Sequence, residues 1–229
     1  MEILLMKKLM FITLMICYLF AGCRNGKTAA KITEPISATA GTEQAAAESK
    51  IYPLPDTTMD NLSDATLSIS LEEGDAYVDD TGIMQMDIKI YSYDKYDMVD
   101  ITMLKVGDIL VTHTGEVEIT SLDTKENGTI LINGGLDENG FDLITDETGV
   151  FYEGGYNDAK NWYEIGEATI RVSADFVYHD TSDLEAGEIL YYPGSFLVGE
   201  VTDYNLTPYN TTIRVENSQI VEMHRVYTP

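Results

Sequence analysis

Basic residues are scarce in this chain. Its 229 residues include 14 Lys and Arg against 39 Asp and Glu, a formal net charge of −25. A general nucleic-acid binder is excluded, because phosphate binding needs clustered Lys and Arg. Cysteine is nearly missing: Cys17 and Cys23 are the two copies, too few for a disulfide-built scaffold. Three histidines, His113, His179 and His224, lack a partner at a spacing such as H-x-x-x-H, so spacing points to no zinc site. Six prolines and 18 glycines without a period exclude collagen-like and Pro-rich fibres. No apolar run reaches the roughly 20 residues of a membrane-spanning helix. There is no G-x-S-x-G elbow and no Gly-rich phosphate loop followed by Lys. No catalytic residue emerges, and an enzyme is not the expected class.

Hydrophobic residues make up 44% and aromatic residues 10% of the chain, enough to build a core. Composition divides the chain into three parts. Lys7 and Lys8 precede an uncharged stretch, Leu9–Gly22, which has the length of a secretory h-region. Arg24–Lys50 has no aromatic residue and is rich in Ala, Thr, Gly and Ser; such a segment buries no core and reads as a flexible tether about 30 Å from end to end. The remainder, 51–229, holds 8 basic and 35 acidic residues, net −27, and reads as one acidic domain.

The first segment ends in Leu19-Phe20-Ala21-Gly22-Cys23. This resembles the lipobox of bacterial lipoproteins, small residues followed by an obligatory cysteine, with Phe20 where the family usually has Leu. The resemblance covers about the first tenth of the chain. It implies cleavage before Cys23, acylation of the Cys23 sulfur, and a lipid anchor on the extracytoplasmic face of a bacterial membrane. The expected partner is therefore a lipid bilayer, and two acyl chains hold far more firmly than one. The divisions are 1–22 signal peptide, 23–50 lipidated cysteine and linker, and 51–229 acidic domain.

Period-two patterning dominates that domain. Met84, Met86, Ile88 and Ile90 alternate with polar residues, as do Leu67, Ile69 and Leu71, each indicating a strand with one buried face. Ile109–Val111 and Val117–Ile119 flank Thr114-Gly115 as a hairpin. Asn127-Gly128 and Asn139-Gly140 carry the residue pair favoured by type I′ turns. Further strands are expected at Ala168–Ser173, Phe176–Asp180 and Phe196–Tyr204, with a last hairpin around Asn217-Ser218. The one helical candidate is Asp97–Leu104, where Met98, Ile101 and Leu104 share a face. The fold class is all-β, an antiparallel sandwich or barrel with several hairpins and at most one short helix.

Two surfaces stand out. Tyr152, Tyr156, Trp162 and Tyr163 bracket a Gly- and Asn-containing loop, and rings flanked by Asp and Asn suit sugars or peptides. Tyr91 and Tyr93 project opposite Met86, Ile88 and Ile90, with Tyr96 close behind on the same tyrosine face. The leading function is a binding or structural surface module for a glycan or protein ligand. The alternative is a glycan-directed hydrolase using carboxylates near Trp162, namely Glu153 and Glu164. Asp137, Asn139 and Asp142 share one loop that offers oxygen ligands for Ca²⁺, the one cofactor considered.

Overall fold

The computed structural model describes residues 49–56 and 58–228. The expected signal peptide, the lipobox with Cys23 and nearly all of the tether lie outside the described residues. Lys50, the last residue assigned to the tether, belongs to a strand, β1 (Lys50–Ile51). All described residues fall in one compact unit, Ala46–Pro229.

The domain is all-β, and its main body is a small barrel. The strands are β2 (Ala65–Ser70), β3 (Ala76–Val78), β4 (Met84–Ser92), β12 (Tyr163–Thr181), β13 (Ile189–Tyr191), β14 (Thr211–Glu216) and β15 (Gln219–Val226). Their order is β13-β12-β15-β14-β2-β4-β3, and β12 also pairs with β4. That extra pairing closes a five-stranded ring, which removes the two free edges an open sheet would carry. The 19-residue β12 makes closure feasible. Its first half runs antiparallel to β4 and its second half parallel to β15, with a register break between Val172 and Val177. A second irregularity, between Glu164 and Gly166, needs a glycine: Gly166 has φ +155, and a Cβ there would sit 2.9 Å from the Met59 sulfur.

Alternation decides what fills the ring. Met86, Ile88 and Ile90 point inward from β4, Ile213 and Val215 from β14, and Leu67 and Ile69 from β2; all are buried. Each such side chain contributes about 1.5–3 kcal/mol by leaving water. The segments Ala65–Ser70 and Ala168–Ser173, similar as Ala-Thr-Leu-Ser-Ile-Ser and Ala-Thr-Ile-Arg-Val-Ser, flank β4 on its two sides.

Residues 94–161 leave the barrel between β4 and β12 and build a second lobe. Here β1, β6 (Ile109–Thr112) and β7 (Gly115–Glu118) form one sheet. The strands β5 (Lys95–Tyr96), β8 (Leu122–Thr124), β9 (Ile130–Ile132), β10 (Phe141–Thr145) and β11 (Phe151–Gly154) form the other, in the order β5-β11-β10-β9-β8. Its own core gathers Tyr96, Leu110, Ile119, Ile132, Leu143 and Phe151.

Several local expectations are corrected. Phe196–Tyr204 is not a strand: Pro193–Leu197 forms a helical turn, with Ser195 Oγ accepting the Tyr192 N–H at 3.3 Å. Proline at the first helical position has its φ already set, and Phe196 caps the barrel core. In the turn at Asn127-Gly128, the positive φ lies on Gly128 and not Asn127, with Gly128 N–H bonded to Lys125 O at 3.0 Å. That is a type I turn closed by a left-handed glycine, set by the longer loop. Asn139 is left-handed but Gly140 is not; a 3₁₀ turn, Leu136–Glu138, occupies that connection. The type I′ turn occurs instead at Asn217-Ser218, where both φ values are positive. The expected helix is short, Met98–Thr102, N-capped by Asp97. It buries Ile101 and leaves Met98 45% exposed, while Leu104, also buried, lies two residues past its end. Tyr96 belongs to the second core rather than to the exposed tyrosine face.

Candidate functional site: an aromatic cleft between barrel and insertion

A cleft of about 1050 Å³ lies where the outer barrel wall meets the inserted lobe. Strand alternation supplies the first wall: with Leu67 and Ile90 turned inward, Thr66, Ser68 and Tyr91 face out into the cleft. Tyr93 follows immediately after β4. The opposite wall comes from Tyr152 on β11, the turn Tyr156–Lys160, and Trp162. A third side is the segment 205–212, including Tyr209 and Asn210.

The two flanks of the insertion meet because β4 and β12 pair at its base, Ser92 opposite Tyr163. Residues 93 and 162 are therefore neighbours in space. Tyr93 packs edge-on against Trp162 at 4.8 Å between ring centres, and against Tyr152 at 6.2 Å. Such edge contacts add about 0.5–1.5 kcal/mol beyond burial. Asn157 and Asp158, both left-handed, make a tight turn that Asn and Asp tolerate better than other L-residues. The turn holds Tyr156 88% exposed at the rim. Tyr152 Oη donates to the Asp158 carbonyl at 3.2 Å, tying strand to turn.

Two ammonium groups enter the cleft, set against the carboxylates of Asp56 and Asp158. Lys160 Nζ lies 4.3 Å from the centre of the Tyr93 ring and 3.0 Å from its hydroxyl, and 5.8 Å from the Tyr152 and Trp162 rings. Lys95 Nζ lies 5.4 Å from the same Tyr93 ring and pairs with Asp56 at 2.9 Å. Burial, then the nearby Asp158 charge, pushes the Tyr152 phenol above its ordinary range, so it stays a neutral hydroxyl. The arrangement offers apolar ring area, neutral hydroxyl and amide groups, and ammonium groups.

Three of the four aromatic residues expected at a ligand surface, Tyr152, Tyr156 and Trp162, line this cleft, joined by Tyr91 and Tyr93. Tyr163 is directed elsewhere. It stacks on His113 at 3.9 Å and donates to Asp94 Oδ1 at 3.2 Å. Asp94 Oδ2 accepts the His113 backbone N–H and meets its Nδ1, both at 2.8 Å. Glu153 joins this cluster, in which the two carboxylates are buried and His113 is exposed. Burial raises the Glu153 carboxyl above the usual range, and the Asp94 charge adds to the effect. Neither Glu153 nor Glu164 lines the cleft; its carboxylates among the described residues are Asp56 and Asp158.

Asp137 and Asn139 lie in the connection before β10, whereas Asp142 lies on β10 itself and serves the protein. Its oxygens accept from Lys125 Nζ and from the Leu136 N–H, each at 2.9 Å. Asp137 sits in the 3₁₀ turn that Asn139 ends. Lys160 and the 205–212 wall carried no signal in the sequence. A lysine near aromatics is common, and that wall is distant in chain order.

No family model, no curated protein and no solved structure matches this chain.

Proposed function

We propose that this chain is an extracytoplasmic binding module, tethered to a membrane through acylated Cys23, whose cleft takes a segment of glycan. The carrying observation is the cleft's two-sided chemistry. Tyr93, Tyr152 and Trp162 offer ring faces and edges to sugar C–H surfaces, while Thr66, Ser68 and Asn157 offer hydroxyl and amide groups. Lys160 would attract an acidic substituent such as a carboxylate, whereas Lys95 is already paired with Asp56. Binding is favoured over glycan hydrolysis because hydrolysis needs two carboxyls across the scissile bond, one with a raised pKa. Here the raised carboxyl of Glu153 is buried outside the cleft. Calcium at the Asp137–Asp142 loop is not needed, since Lys125 already neutralises Asp142.

A glycan and peptide array probed with the full chain tests the ligand class. Glycan hits are expected, with Trp162→Ala weakening the best hit by roughly 10–100-fold, about 1–3 kcal/mol. Peptide hits alone, or undiminished glycan binding by a folded Trp162→Ala variant, would sink the assignment. Anchoring is tested separately in a bacterial host. A fatty-acid label should enter the chain, and Cys23→Ala should abolish labelling and release the protein from membranes. Labelling that survives Cys23→Ala would remove the anchor.

A further inference from the structure

Two histidines meet on the barrel's outer wall. In the parallel pair β12–β15, His179 stands directly opposite His224. Their rings stack at 4.6 Å with 9° between planes. Glu222, two residues before His224, faces the same way. Its Oε1 lies 3.0 Å from His224 Nε2 and 3.4 Å from His179 Nε2. One ligand atom from each residue falls within 4.8 Å of the others. The geometry points to a three-ligand site for a divalent transition ion of the zinc class, formed by His179, His224 and Glu222. A tetrahedral zinc sphere with bonds near 2.0–2.1 Å has ligand–ligand edges of about 3.3 Å, the scale of the two separations above.

The surrounding groups orient these ligands for an ion. Glu188 Oε1 lies 2.8 Å from His179 Nδ1. A carboxylate there accepts a hydrogen bond from Nδ1–H, which leaves Nε2 as a lone pair facing Glu222. A neutral His179 thus directs one acceptor at another, a contact that a bound cation between them makes favourable and that otherwise needs a second proton on the ring. Arg214 Nε donates to Glu222 Oε2 at 2.8 Å, so Oε1 alone remains for the ion. Arg214 also contacts Glu216. The hydrogen bond from Arg214, first, and that of His224 hold the Glu222 carboxyl below its usual range, so the ligand is ionised near neutral pH. Thr212 is the residue opposite His224 on β14 and adds no charge. Three protein ligands leave the fourth tetrahedral position open to water or a donor from a ligand. An ion here joins β12 to β15, two of the five strands of the ring. The spacing rule missed the site because it looks for ligands one helical turn apart, whereas these two histidines stand far apart in the chain on paired strands.

Calorimetric titration of the full chain with Zn²⁺ near neutral pH tests the site. One equivalent is expected to bind with a dissociation constant on the order of micromolar or tighter. His179→Ala and His224→Ala should each weaken binding by at least about 30-fold, and Glu188→Gln by about tenfold. Cys23→Ser should leave it unchanged. At about 100 times the dissociation constant, zinc should raise the melting temperature by several degrees. The His224 side chain is 46% exposed, so its variant keeps the fold, which circular dichroism checks. Absence of saturable binding, equal binding by the His224→Ala variant, or loss of binding with Cys23→Ser would overturn the site. In that case the cluster is an imidazolium–carboxylate pair only.

Discussion

Replacing Arg225 with alanine is expected to lower the unfolding free energy of the barrel by about 3 kcal/mol. Arg225 takes an inward position on β15, and its side chain is 5% exposed. Its guanidinium donates to Asp203 Oδ2 at 2.7 Å and reaches Asp180 Oδ2 at 3.5 Å, closing the end of the ring between β12 and the segment before β14. Asp203 is largely exposed and survives the loss of its partner in water. Asp180 is mostly buried and does not. It keeps Ser182 N–H, Ser182 Oγ and Tyr178 Oη as donors, which sets the loss near the lower end of the range for breaking a buried pair. Adding Asp180→Asn to Arg225→Ala should therefore recover part of the loss, since no buried charge is then left alone. Asp203→Ala alone should cost less than Arg225→Ala, because the buried guanidinium it leaves behind still faces Asp180 Oδ2 and the main-chain carbonyl of residue 203. Urea denaturation of the parent and the three variants measures this. A loss below about 1 kcal/mol for Arg225→Ala, or no recovery in the double variant, contradicts the assignment.

The strands were legible wherever one face of the chain is buried. Met84–Ile90 and Leu67–Leu71 show their alternation in the residues themselves, and the same residues fill the barrel. Asn217-Ser218 was legible for a related reason, because a two-residue connection demands positive φ at both positions. Pairing partners were not. Alternation says that β12 has an inner face, but not that its halves pair with β4 and β15 in opposite senses. That pairing separates a closed barrel from a sandwich. The insertion was equally hidden, because strands in the second lobe look like strands in the first. Its consequence explains the cleft. Tyr152–Trp162 and Tyr91–Tyr93 read as two separate aromatic clusters, and they become one site because the insertion leaves and re-enters the barrel between adjacent strands. Tyr163 fell on the other side for a reason of one residue: in a strand, neighbours of Trp162 point the opposite way. Phe196–Val198 misled because three consecutive apolar residues suit a buried strand and a short helical turn equally.

The Glu153→Gln variant is expected to be more stable than the parent at neutral pH, by about 1–3 kcal/mol. Glu153 is 6% exposed, and Asn161 Nδ2 donates to its Oε1 at 2.7 Å. Its Oε2 is buried and has no partner among the described residues. Burial raises this carboxyl above its ordinary 4.5, and the nearby Asp94 charge adds to that; Asn161 and His113 oppose it. The folded protein therefore holds the Glu153 proton more tightly than the unfolded chain does. Below the ordinary value both states are protonated and the group contributes nothing. As pH rises from there through the folded value, the unfolded chain ionises first and stability is lost; above the folded value the full penalty remains. A glutamine side chain carries no charge, keeps an oxygen for Asn161, and places N–H donors where Oε2 now lies. The difference between the variant and its parent should thus be largest at neutral pH and shrink as pH falls toward about 4. Denaturant midpoints of both proteins across that range isolate Glu153, since the other acidic groups titrate alike in each. A parent at least as stable as the variant at neutral pH would mean that Glu153 gains a partner as an anion, and the Asp94–His113–Glu153 cluster would then be a charged site in its own right.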